Sequence, residues 1–131
     1  MNTISAEIKN IQSVADLNII TFSAQTECLK MMSLELNRTL KIGSKVSLSV
    51  KASNIALAKG TAALLSYSNQ LPVTILAIDE GILLSSIEVD FFGETLESLI
   101  TTDSKKRMHL KVGEHVTALI KSSDLALERL L

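Results

Sequence analysis

The sequence contains an internal repeat, and this repeat limits the folds that the chain can adopt. Residues 40–57 align without a gap with residues 110–127, at a constant separation of seventy positions. The stretch Lys51-Ala52-Ser53-Asn54-Ile55-Ala56-Leu57 returns as Lys121-Ser122-Ser123-Asp124-Leu125-Ala126-Leu127. An ungapped match of this length indicates two copies of one small structural unit.

We therefore predict two modules, residues 1–64 and residues 65–131. Each module is near the lower size limit for an independent hydrophobic core, so we expect the modules to pack on each other or on other subunits. Apolar residues make up 47% of the chain and aromatic residues only 3%, which predicts an aliphatic core.

Charge and composition argue against several classes of partner. A formal net charge of −1 and the scarcity of aromatic side chains disfavour nucleic-acid binding, which needs a basic groove and stacking rings. The single cysteine, Cys28, cannot form an internal disulfide. The sequence shows no charged-then-apolar leader and no long apolar span, which predicts a soluble cytoplasmic protein that does not bind membranes.

Alternation of apolar and polar residues predicts five short strands in each module. Leu36–Leu40 is predicted to form a helical turn in the first module, and Thr102 or Asp103 is expected to cap a helix over Ser104–His109 in the second. This order of elements predicts an all-β fold made of two tandem OB-like, five-stranded Greek-key barrels, each with a short helical turn.

The same alternation predicts which side chains face the core of the second module. Leu119 replaces Ser49 of the first repeat at an outward position, which suggests a contact surface. The inward positions are predicted to be Val73, Ile75, Ala77, Leu83, Ser85, Ile87, Val89, Phe91, Val116, Ala118 and Ile120.

No combination of a nucleophile and a base is visible, so an enzyme is the least supported class. His109 and His115 lack the spacing of a zinc-binding pair and are interpreted as surface histidines. Cys28 is interpreted as a strand residue of the core.

Small hydroxyl residues and one lysine lie at the predicted ends of elements in the second module. Hydroxyl donors, backbone N–H groups and one ammonium group can hold a tetrahedral oxyanion. An alternative remains open, in which the threonines and serine only cap a helix and the lysine is solvated. The residues concerned are Ser66, Ser68, Thr101, Ser104, Lys121, Ser122 and Ser123, and the alternative treats Thr101, Thr102 and Ser104 as cap residues.

Three stretches resemble the Mop/TOBE molybdate-binding modules, which occur singly, in tandem (di-Mop) and as the C-terminal half of a molybdate-responsive transcription regulator. The stretches are Ser66-Tyr67-Ser68-Asn69-Gln70-Leu71-Pro72, Ile78-Asp79-Glu80-Gly81 and Val116-Thr117-Ala118-Leu119-Ile120-Lys121-Ser122-Ser123. The resemblance covers nearly the whole chain as a tandem pair.

This resemblance implies a homo-oligomer, with a trimer favoured and a dimer possible, that holds molybdate or tungstate at interfaces between modules or subunits. Molybdenum would be present only as an oxyanion. Ser33 is matched less securely to a threonine of the family motif. The implied oxyanion-binding residues are Ser66, Ser68, Asn69, Thr101, Ser104, Lys121, Ser122, Ser123, Lys51, Ala52 and Ser53.

The opening motif departs from the family pattern. Ser68 stands where the family has an arginine, and Met1 falls at the corresponding place in the first module. Loss of a bidentate, charge-assisted donor would weaken an anion site. Two hypotheses follow: a cytoplasmic molybdate- or tungstate-binding protein for storage, homeostasis or sensing, or a degenerate TOBE-type oligomerisation or regulatory module that no longer binds anion.

Overall fold

The secondary structure is almost entirely β. A computed structural model describes residues 2–35, 39–60 and 64–131. No helix in this described part is long and apolar enough to span a membrane. The elements are β1 Asn2–Val14, β2 Leu17–Ala24, β3 Glu27–Ser33, β4 Lys45–Val50, a 3-10 turn Ala52–Asn54, β5 Ala56–Ala58, β6 Asn69–Glu80, β7 Leu84–Phe91, β8 Glu94–Thr101, α1 Thr102–Arg107, β9 His115–Ile120 and β10 Ala126–Leu130.

The strands form two sheets of five, in the orders β10-β4-β1-β2-β3 and β5-β9-β6-β7-β8. All neighbouring strands are antiparallel, and the second order repeats the first when each strand is replaced by its repeat counterpart. The prediction of an all-β pair of five-stranded units is confirmed.

Each sheet takes its last strand from the other half of the sequence. β10 pairs with β4, where Leu127 lies opposite Leu48, and β5 pairs with β9, where Leu57 lies opposite Ala118. This exchange covers one edge of β4 and one edge of β9, which would otherwise expose unpaired backbone groups. The boundary between residues 64 and 65 stays a prediction, and it separates each sheet from one of its own strands.

Two asparagines join the halves in a reciprocal manner. Asn2 Nδ2 donates to Glu97 O at 2.8 Å, and Glu97 N donates to Asn2 Oδ1 at 2.8 Å. Asn69, at the same place in the second repeat, accepts from Lys30 N at 2.7 Å and donates to Lys30 O at 3.0 Å. Each asparagine side chain therefore bonds to the backbone N–H and C=O of one strand residue in the other half, as a neighbouring strand would.

The buried aliphatic side chains of both halves form one hydrophobic cluster. Most predicted inward positions of the second half are buried, but Ala77 and Leu83 are exposed. A bulge between Ile75 and Ala77 shifts the alternation by one residue, which turns Ala77 outward. Leu83 precedes the first residue of β7, so it lies outside the alternating strand.

Leu119 was predicted to face outward, and this prediction is wrong. Its side chain is 5% exposed, and Ser49, its counterpart in the first half, is 9% exposed. The ends of β4 and β9 are buried on both faces, so a simple inward–outward alternation does not hold there. The leucine therefore contributes to packing within the chain. Cys28, interpreted as a core residue, is instead exposed on β3.

The helical elements agree in part with the sequence predictions. Residues 36–38 of the turn predicted over Leu36–Leu40 lie outside the described residues. α1 begins at Thr102, with Thr101 as its N-cap, rather than at Ser104. The glycines of the repeated Lys-x-Gly turn, Gly43 and Gly113, have φ values of +93° and +90°, which a residue with a Cβ rarely adopts.

Truncation of the chain after Leu125 tests the strand exchange. Removing β10 uncovers the edge of β4, whereas β9 keeps β5 as its neighbour. We expect backbone amides of β4 to lose hydrogen-exchange protection much more than those of β9. Equal protection losses in β4 and β9, or unchanged protection in β4, would contradict the exchange.

Candidate functional site

Both copies of the repeated motif form the same tight turn. Asn54 N donates to Lys51 O at 2.9 Å in the first copy, and Asp124 N donates to Lys121 O at 3.0 Å in the second. These bonds close the chain over four residues immediately after β4 and β9. Each turn therefore places a lysine at a strand end and an amide or carboxylate side chain three residues later.

The two turns line one hollow with a volume of about 310 Å³. It combines residues from both halves of the sequence, so neither half alone can form it. The lining residues are Ser53, Asn54, Ile55, Ala56, Tyr67, Leu99, Ile100, Lys121 and Asp124.

Two hydrogen bonds between the halves hold the walls of this hollow. The Ser98 hydroxyl, which is fully buried, donates to Ile55 O at 2.6 Å and fixes the first turn against β8. Met32 N donates to Ser122 O at 2.9 Å and fixes the second turn against β3. The positions of both turns therefore depend on contacts between the halves.

Two of the predicted oxyanion-binding residues, Ser53 and Lys121, line the hollow. Tyr67 lines it as well, between the exposed residues Ser66 and Ser68. Thr101 follows the lining residue Ile100. The other predicted residues of the two turns, which do not belong to the lining, are Lys51, Ala52, Ser122 and Ser123.

Thr101 and Ser104 form a helix cap. Thr101 Oγ1 accepts from Ser104 N at 3.1 Å and donates to Ser104 Oγ at 2.9 Å, while Arg107 Nη2 donates to Ser104 Oγ at 3.1 Å. This geometry is the capping arrangement that the sequence left as an alternative. A role of these two residues in anion binding stays a prediction.

Lys105 of the same helix is engaged by an acidic side chain. Its ammonium group lies 2.9 Å from Glu80 Oε1. The hydrogen bond from Lys105 lowers the pKa of the Glu80 carboxyl below its ordinary value. Lys105 thus forms an ion pair with Glu80, the last residue of β6.

Asn69 was predicted as an oxyanion-binding residue, and the structure places it in the joint between the halves. It is fully buried, and its amide oxygen and nitrogen bond to the backbone of Lys30. In this arrangement the side chain positions β6 against β3. Its predicted role in binding anion remains untested.

Asn54, Tyr67 and Asp124 line the hollow, but the sequence did not single them out as binding residues. The signal for two of them was present in the repeat, because Asn54 and Asp124 occupy equivalent positions and differ in charge. Tyr67 is the sole tyrosine in the chain and lies inside the motif that carries the family resemblance.

The polar lining suits a small anion. The Lys121 ammonium, the Ser53 and Tyr67 hydroxyls and the Asn54 amide can all donate hydrogen bonds. The Asp124 carboxylate accepts hydrogen bonds and repels anions. Within the described residues, no group of three or more His, Cys, Asp or Glu side chains is placed to hold a metal ion.

Other hollows have different linings. One of about 370 Å³ contains Thr74, Asp90, Phe92 and His115, and Thr74 Oγ1 lies 3.0 Å from His115 Nδ1. A larger one of about 740 Å³ is lined mainly by aliphatic side chains and contains Ser33. Their described linings contain no lysine or arginine. A further hollow of about 240 Å³ contains Lys45 together with Glu7, but it includes no residue of the repeated motif. The hollow with Lys121 is therefore the candidate for an anion that the repeat supports.

Comparisons with known proteins found a family match for one part of the chain and solved structures of similar proteins. Residues 65–127 match the family model of the TOBE domain. The structure of the cytoplasmic molybdate-binding protein ModG, in a form with molybdate bound, superposes with a TM-score of 0.89 at 23% identity, covering 96% of this chain and 94% of that chain. A molybdate-binding protein from Sporomusa ovata is 35% identical over 46% of this chain and 90% of that chain, with a TM-score of 0.45. No curated protein sequence matches significantly.

The protein is thus an all-β protein of two interlocked, OB-like five-stranded units, with the fold seen in ModG. Residues 65–127, just under half of the chain, match the TOBE domain. The resemblance read from the motifs of the second half is confirmed.

Replacing Asn69 by alanine tests its role between the halves. The change leaves Lys30 N and Lys30 O without their buried partner, so we expect the free energy of unfolding to fall by about 3 kcal/mol. Urea denaturation measures this loss. Asn10→Ala, at an exposed position of β1, serves as the control and should change stability by less than about 0.5 kcal/mol. A loss no larger than that of the control would contradict the structural role.

Proposed function

We propose that the protein binds molybdate or tungstate as an oxyanion, without catalysing a reaction. The observation that carries this proposal is the convergence of both repeated turns on one hollow that contains Lys121 and Ser53. The motif resemblance, and the ModG structure with molybdate bound on the same fold, support it.

In the proposed site the anion would meet neutral donors and the positive charge of Lys121, beside the negative charge of Asp124. Hydroxyl and amide groups satisfy the oxygens of a tetrahedral anion without a cage of full charges. Lys121 supplies the charge that compensates for removing the anion from water. Because sulfate has the same charge and shape as molybdate, selectivity must come from the size of the hollow.

We also propose a cytoplasmic location and a role in molybdenum storage, homeostasis or sensing. A homo-oligomer, with a trimer favoured over a dimer, would place further sites at interfaces between modules or subunits. The lysine of the first turn, Lys51, is exposed and is not part of the hollow that Lys121 lines, so it is available for such a site.

A second candidate function is a TOBE-type oligomerisation or regulatory module whose anion sites have decayed. Ser68 in place of arginine favours this alternative, as do the exposed Ile82 and Leu83, which are 93% and 79% accessible at the turn between β6 and β7. Such a module would form a stable oligomer whose properties do not change when molybdate is added.

Calorimetric titration of the protein with molybdate, and with sulfate as the comparison anion, tests the proposal. The sample needs a known oligomer mass from light scattering. Saturable binding of molybdate, with sulfate bound far more weakly, is the expected result. A well-folded oligomer that binds neither anion would favour the oligomerisation module.

Lys121→Ala tests the assignment of the positive charge. Loss of a charge-assisted hydrogen bond costs about 2 kcal/mol, so the dissociation constant for molybdate should rise roughly thirtyfold. Lys41→Ala removes the same charge from an exposed turn outside the hollow and should leave binding nearly unchanged. Equal effects of the two substitutions on the dissociation constant would contradict the assignment of Lys121 to the site.

A further inference from the structure

The formal charges of the residues that line the hollow sum to zero, and this sum affects which anions the hollow can bind. Lys121 contributes one positive charge and Asp124 one negative charge, while the other lining side chains are neutral. The three ion pairs found among the described residues are Lys9–Glu7, Lys59–Glu114 and Lys105–Glu80. Lys121 and Asp124 therefore share the hollow without neutralising each other by direct contact.

The repeat shows that the carboxylate is not needed to build the turn. Asn54 takes the position of Asp124 in the first copy, and its backbone makes the same bond at nearly the same length, 2.9 Å against 3.0 Å. Both residues line the same hollow. An amide is therefore compatible with this turn, and the negative charge of Asp124 is a separate property of the site.

We propose that Asp124 determines specificity by making the hollow sensitive to the charge of a bound oxyanion. This inference rests on the proposed anion-binding function. A carboxylate in a small hollow repels a bound anion, and the repulsion is about twice as strong for a dianion as for a monoanion at the same place. Asp124 thus disfavours tetrahedral dianions relative to tetrahedral monoanions of similar size.

Molybdate and perrhenate serve as probes, because both are tetrahedral oxyanions of similar size and they differ by one unit of charge. Asp124→Asn keeps the shape of the side chain and removes its charge. We expect this variant to bind molybdate about tenfold more tightly, with a smaller gain for perrhenate. Added salt should reduce the difference between the variant and the wild-type protein.

The repeat offers two matched controls. Asn54→Asp adds a second carboxylate to the same hollow and should weaken molybdate binding more than perrhenate binding. The double variant Asn54→Asp with Asp124→Asn moves the carboxylate to the other turn at constant charge. The double variant should bring the ratio of molybdate to perrhenate affinity back toward the wild-type value. If Asp124 had a purely structural role, the ratio would not return toward that value.

The outcomes separate this inference from the proposed function. Wild-type binding of molybdate with no change in the affinity ratio for Asp124→Asn would overturn the role of Asp124 and leave the proposed function intact. Binding of molybdate by Asp124→Asn but not by the wild-type protein would support the role of Asp124 and contradict molybdate as the native ligand. Failure of the wild-type protein and all variants to bind either anion would overturn both.

Discussion

The two halves of the sequence exchange their last strands, so that β10 pairs with β4 and β5 pairs with β9. β5 and β10 are short, and each covers an edge of the sheet built by the other half of the sequence. Pairing in this way satisfies backbone groups at the edges of β4 and β9 that a small isolated sheet would leave exposed. It also carries the chain across the joint immediately after each repeated turn. The two turns line one hollow because the strands that follow them cross between the halves.

The contacts near the joint reinforce this arrangement. Asn2 and Asn69 bond to backbone groups of the opposite half, and a single hydrophobic cluster extends through both sheets. A small module rarely supplies enough buried area to be stable alone, so joining two modules compensates for their size. Because residues on both sides of this joint line the hollow, the hollow forms only when both halves are present. The two copies of the turn differ in charge at equivalent positions of this hollow, with Asn54 in one and Asp124 in the other.

Much of the fold could be predicted from the sequence, because the alternation of apolar residues reports which face of a strand is buried. It does not report which strand lies at an edge, and Ile55-Ala56-Leu57 and Leu125-Ala126-Leu127 are similar enough to suit either sheet. The exchange was therefore not predicted. Ala77 was misplaced by a bulge and Leu119 by burial of both faces of β9. For the site, Lys121 and Ser53 followed from the repeat and the motif, but the burial of Asn69 depends on contacts distant in sequence.

Anion binding between the two repeated turns is tested by locating molybdenum in crystals of the protein grown with molybdate, by anomalous scattering at the molybdenum edge. We expect an anomalous peak in the hollow lined by Ser53, Tyr67 and Lys121. Peaks found only elsewhere, with this hollow empty of molybdenum at saturating molybdate, would contradict it.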